Sequence, residues 1–129
     1  MKNPMRIWFL LTALGVSAAL TGCIAVVAAG AGAGTVAYVQ GKLESPLGAD
    51  YHRSVAAVDR AIAQLEFARI SHNQDALTST FTVRTAEDKK VVIEVSKVSD
   101  QASKVEIRVG IFGNEALSMT ILDRIKANL

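Results

Sequence analysis

The sequence predicts an α+β fold: a two-layer sandwich in which an antiparallel sheet of four to five strands is packed by two helices, in the order β-α-β-β-β-β-α, behind an N-terminal signal. Three observations predict it. Between residues 51 and 65 the apolar side chains recur at spacings of three and four, the period of one helix face. Between 68 and 111 the period changes to two, with short polar links between the alternating runs, as in neighbouring antiparallel strands. From 117 onward the helical period returns. Helices with one apolar stripe and a sheet with one apolar face cover each other, which is the two-layer solution.

At the N-terminus, Lys2 and Arg6 precede an uncharged, mostly apolar run from Ile7 to Leu20. A basic start, an apolar stretch of this length and a small-residue exit mark a secretory signal, so residues 1–22 are expected to be removed. The exit, Leu20-Thr21-Gly22-Cys23, resembles the lipobox of bacterial lipoproteins. That resemblance implies that Cys23 is alkylated through its sulfur by a diacylglyceryl group and becomes the new N-terminus. A thiolate is the side chain best suited to such alkylation. Two other readings also fit these residues. One is a buried structural cysteine. The other is an uncleaved membrane helix, because no charge stands between Arg6 and Lys42 and about 20 apolar residues span a bilayer.

Cleavage changes the charge argument. The chain has 14 Lys+Arg and 12 Asp+Glu; losing Lys2 and Arg6 takes the first count to 12, a side-chain net of zero. Electrostatic attraction to nucleic acid therefore has no support. Cys23 is the only cysteine, so no internal disulfide forms.

Residues 23–40 read as an Ala/Gly-rich tether. Gly30 and Gly34 would share one helix face, so the segment also suits dipping into a leaflet or pairing with a copy of itself. A phosphate-cradling loop fails the context test, since no strand precedes the glycines and no Lys-Ser/Thr follows.

Residues 41–129 are left for one globular domain. Lys42-Leu43-Glu44 alternates as a short first strand, and Ser45-Pro46-Leu47-Gly48 turns the chain. Asp50 caps a helix over residues 51–67, with Tyr51, Val55, Val58, Ile62 and Leu65 on its apolar stripe. Strands follow at 68–72, at 77–83 (Leu77, Ser79, Phe81 and Val83 inward), at 91–96 (Val91, Ile93 and Val95 inward) and at 104–111 (Val105, Ile107, Val109 and Ile111 inward). Asn114 caps a second helix carrying Leu117, Ile121, Leu122, Ile125 and Leu129.

The residues bearing chemistry are dispersed. His52 and His72 lack partners at metal-ligand spacing. Glu44, Asp50, Glu94, Glu106 and Glu115 are scattered over polar-face positions, and no serine or threonine sits in a nucleophile-elbow context. Arg108 is the residue singled out: mid-strand, it is either a solvent-face arginine pairing with Glu94 or Glu106, or a contact for an anion or a partner on the exposed sheet face.

Taken together, several of these residues resemble a family of small bacterial lipoproteins catalogued as domain of unknown function 3568. They are the lipobox cysteine with its Ala/Gly-rich run, Gly41-Lys42-Leu43-Glu44, and Ile107-Arg108-Val109-Gly110 followed by Phe112-Gly113 and Ser118. Asn114 departs from the acidic residue expected there; either type caps a helix. The resemblance implies the fold and an envelope location, and brings no assigned activity. The expectation is a lipid-anchored cell-envelope protein, a non-catalytic binding or assembly module in the periplasm, with no enzyme activity, cofactor or metal. Its partners are the membrane, through acylated Cys23, and another envelope protein, with no nucleic acid. An alternative is a small-ligand or lipid carrier using a groove between helices and sheet. Ile24 after Cys23, set beside enterobacterial sorting rules in which Asp there favours retention, implies the outer membrane, facing the periplasm.

Overall fold

The computed structural model describes residues 35–129. The expected signal, its exit residues Leu20, Thr21 and Gly22, the lipidation candidate Cys23 and most of the tether lie outside the described residues. Within them, strands β1 (Ala37–Val39) and β2 (Lys42–Leu47) are followed by helix α1 (Tyr51–Gln64). Strands β3 (Ala68–Gln74), β4 (Thr78–Arg84), β5 (Lys90–Ser99) and β6 (Ala102–Val109) come next, followed by helix α2 (Glu115–Ala127). The fold is α+β, with one antiparallel sheet of order β1-β2-β6-β5-β4-β3.

That sheet has six strands, which corrects the expected four to five. The additional strand, β1, lies in the stretch read as tether. Gln40 (φ 52°) and Gly41 (φ 79°) both take left-handed backbone, the geometry of a two-residue hairpin turn whose twist matches its strands. Val39 is thereby folded back opposite Lys42. The first helix also stops earlier than expected. Leu65 is its C-cap, Glu66 turns left-handed at φ 59°, and Phe67 leaves the helix to pack against the core.

Strict alternation sets the faces of the sheet. One face carries Leu43 and Leu47 of β2, Phe81 and Val83 of β4, Val91, Ile93 and Val95 of β5, and Val105, Ile107 and Val109 of β6, all buried. Across the middle of the sheet, Leu43, Ile107, Ile93 and Phe81 stand in one cross-strand row. Both helices pack on this face, α1 over β5 and β6, α2 over β6 and β2. They contribute Val58, Ala61, Ile62, Ile121, Leu122 and Ile125 to the same core. Each large side chain so buried contributes about 1.5–3 kcal/mol relative to exposure.

Two apolar residues expected inward point out instead: Leu77 lies in the β3–β4 turn, and Ile111 lies beyond the end of β6. The helix starts follow expectation. Asp50 accepts from the Arg53 N–H at 2.9 Å, and Asn114 accepts from the Leu117 N–H at 3.0 Å. Glu115 in the first turn of α2, with Arg124 and Lys126 in its last, suits the helix dipole.

Polar groups in the core are clasped. The hydroxyls of Ser54 on α1 and Ser103 on β6 lie 2.6 Å apart, and Ser103 donates to the Ala49 carbonyl at 3.0 Å. The exception among the described residues is Ser118 on α2, whose hydroxyl is buried without a hydrogen-bond partner.

Candidate functional site

Among the described residues both helices lie on one side of the sheet, and the opposite face, which carries neither, presents its residues in charged rows. The register places Lys42, Arg108 and Val92 side by side in one row, and Glu44, Glu106 and Glu94 in the next. Lys104 lies in the third row, between Pro46 and Ser96. Toward β4 the rows continue as Thr82, Thr80 and Thr78. A shallow concavity of about 140 Å³ opens among Lys42, Val92, Glu94, Glu106 and Arg108.

Three carboxylates in adjacent strand positions repel one another unless cations are near. Here Lys104 Nζ lies 3.2 Å from Glu106 Oε1. Partial burial works against ionising Glu106. Its interactions with neighbouring Glu44, with Lys104 and with Lys42 outweigh that, so its carboxyl titrates below the usual glutamate range. The bond to Glu106 holds the Lys104 ammonium above the usual lysine range.

Arg108 joins none of these carboxylates in an ion pair. Its Nη2 donates to the Ile111 carbonyl at 2.7 Å, reaching past the end of its own strand to hold the loop into α2. The cross-strand pairing with Glu94 or Glu106 weighed for it is absent among the ion pairs of the described residues. The loop it holds is tightly built. Gly110 (φ 66°) and Gly113 (φ 81°) are left-handed, and a Cβ on Gly113 would collide with the Tyr38 hydroxyl and lie 2.6 Å from the Gly41 Cα. Of the residues that carry the family resemblance, those on β2 and those around the end of β6 therefore meet in space. Lys42 and Leu43 pair with Arg108 and Ile107, and Gly41 packs against Phe112-Gly113.

Other candidates are placed apart. His52 is exposed on α1, with its ring edge-on to Tyr51. His72 on β3 stacks on Phe81 at 3.9 Å and hydrogen-bonds the Ser79 hydroxyl at 2.8 Å, closing one flank of the core. Asp50 and Glu115 belong to the helix starts. Among the described residues no three His, Cys, Asp or Glu side chains could hold one metal ion. No helix among them is long and apolar enough to cross a membrane. The space between helices and sheet, where a carrier's groove would lie, is filled by Leu43, Ile93, Ile107, Ile121 and Leu122, all buried.

Sequence reasoning had Glu44, Glu94 and Glu106 on polar faces but dispersed. Their meeting follows from β2 pairing with β6 and β6 with β5, a non-local fact that period alone does not carry. The arrangement sets a cationic row, Lys42 and Arg108 with Val92 at its end, directly beside an anionic row of Glu44, Glu106 and Glu94. A family model described as "Protein of unknown function (DUF3568)" matches residues 6–128. A search of curated proteins finds no match.

Proposed function

We propose, from the premise that this chain belongs to the DUF3568 family, that it is a lipid-anchored, non-catalytic binding or assembly module of the cell envelope. In this reading Cys23 carries the lipid and follows the exit residues Leu20, Thr21 and Gly22. The domain faces the periplasm from the outer membrane, and another envelope protein docks on the open face of the sheet. The observation that carries the docking part is the bare face itself, with Lys42 and Arg108 alongside Glu44, Glu106 and Glu94. The anchoring part rests on the lipobox and the signal-like run before it. Several acyl chains, at about 0.8 kcal/mol per buried methylene, make such attachment durable.

Two measurements test it. The mass of the purified native chain is expected to begin at an acylated Cys23, and Cys23→Ser to move the protein out of the membrane fraction. A chain that begins at Met1, or a Cys23→Ser variant that fractionates unchanged, sinks the anchor. A photo-crosslinking amino acid at Val92 is expected to give one discrete adduct in cells, lost with Lys42→Glu and Arg108→Glu. The same probe at Arg53, exposed on α1, gives none. Equal adducts from both faces sink the docking face.

A further inference from the structure

The largest exposed apolar side chains outside the open face are not spread evenly. Phe112 is 92% and Ile111 80% exposed, adjacent in the β6–α2 loop. That loop is tied back to the sheet: the Gly110 N–H donates to the Lys90 carbonyl at 2.7 Å, and Arg108 donates to the Ile111 carbonyl. Isolated exposed apolar residues are ordinary; two adjacent ones at the tip of one tied-back loop form a small apolar patch that needs a reason. Its surroundings include three cations, one of them, Lys89, paired with Glu87 at 3.3 Å. Lys89 lines the same depression as Ile111 and Phe112, about 200 Å³; Lys90 and Arg108 are bonded to the loop, and neither belongs to an ion pair of the described residues. Of the other large exposed apolar residues, Val39 and Ile70 stand on the edge strands β1 and β3, while Leu77 and Val98 lie toward the opposite end of the strands, near Asp75 and the Lys97–Asp100 pair.

We infer that the Ile111–Phe112 tip inserts into the headgroup region of the phospholipid bilayer, with Lys89, Lys90 and Arg108 set to meet lipid phosphates. A bulky apolar tip with Lys89, Lys90 and Arg108 beside it matches the two layers of that surface, an apolar interior beneath an anionic rim. The inference rests on the anchored reading for its proximity. The segment 24–34 between Cys23 and Thr35 reaches at most about 40 Å when fully extended, so an acylated Cys23 keeps the domain within that distance of lipid.

The test uses the full chain with its processing intact and Trp8→Phe, carrying either Phe112→Trp or Leu77→Trp. Each protein is reconstituted into phosphatidylethanolamine/phosphatidylglycerol vesicles with and without brominated acyl chains, and its mass is taken in parallel. The expected result is blue-shifted emission from Trp at 112, quenched by brominated lipid several-fold more than Trp at 77, with the difference reduced by Lys89→Glu and Lys90→Glu. Emission at 112 that stays aqueous overturns the inference, and leaves the anchor standing when the mass shows acylation. A blue shift that bromine does not quench overturns it too, because the tip is then covered by protein. Stronger quenching at 77 overturns it in favour of the opposite end. Quenching at 112 in a chain whose mass shows no acylation supports the tip and removes the anchor.

Discussion

Gly113 concentrates more constraint than any other described residue. It needs a left-handed φ, and its Cα faces the Gly41 backbone with no room for a methyl group. Gly113→Ala is expected to cost more than about 2 kcal/mol, read as a lowered midpoint in chemical denaturation. Gly48→Ala, where a Cβ meets nothing within 4 Å, should stay within about 1 kcal/mol of the parent. Ser118 shows the opposite case. Its hydroxyl is buried and has no partner among the described residues, so Ser118→Ala should leave stability unchanged or raise it by up to about 1 kcal/mol. Titration adds a further expectation. The Leu77 and Thr78 N–H groups, each 2.8 Å from Asp75 Oδ1, hold that carboxyl below its ordinary 3.8, and Glu106 is held below 4.5. A carboxyl lowered in the folded state stabilises above its unfolded value and loses that contribution as pH falls through the folded one. Stability should therefore decline as the medium is acidified through the carboxylate range, and the slope should flatten in Asp75→Asn and Glu106→Gln, measured by denaturation at a series of pH values. Lys104, raised by Glu106, carries the mirror-image limb: its contribution is present below the ordinary 10.5 and lost as pH climbs through its folded value.

At the scale of elements, the alternation of β4, β5 and β6 was legible because each strand has one buried and one open face, and a period of two records that directly. Both helix starts were legible from Asp50 and Asn114. One misreading ran the other way: Ser45-Pro46-Leu47, expected as a turn, continues β2 opposite Val105, Lys104 and Ser103, and others were set by backbone turns at residues that carry no turn signature. Gln40 and Glu66 are left-handed without being Gly or Asn, so the β1 hairpin was absorbed into the tether and α1 was extended to Phe67. Leu77 and Ile111 continued the alternation of their neighbours in sequence but fall just outside the strands. Position in the sheet gives β3 and β6 different fates. All seven residues of β3 are exposed on an edge, and its register slips between Arg69 and Ser71, a bulge that discourages further pairing. β6 pairs on both sides and lies under both helices. Native-state hydrogen exchange should find the β6 amides of Val105 and Ile107 among the slowest and those of β3 the fastest of any strand.

For the molecule as a whole, the sequence disclosed two layers, two helices and an antiparallel sheet, because amphipathic periods imply what must be covered. It did not disclose the candidate contact face. Lys42, Glu44, Glu94, Glu106 and Arg108 come together only through the order β2-β6-β5, which joins residues distant along the chain. The same order makes the fold depend on its last third. A chain ended after Ser99 keeps β2 and β5 but loses the strand between them, and the helix that covers β2. It is expected to show no cooperative thermal transition by circular dichroism, rather than a smaller folded remnant.

That dependence has a consequence in time. Ribosomes deliver the N-terminus first, and β2 then waits for a neighbour made much later, since Leu43 has no strand partner on its inner side until Ile107 emerges. Closing so long a loop is entropically slow. The nascent domain is expected to stay open until β6 has emerged to pair with β2.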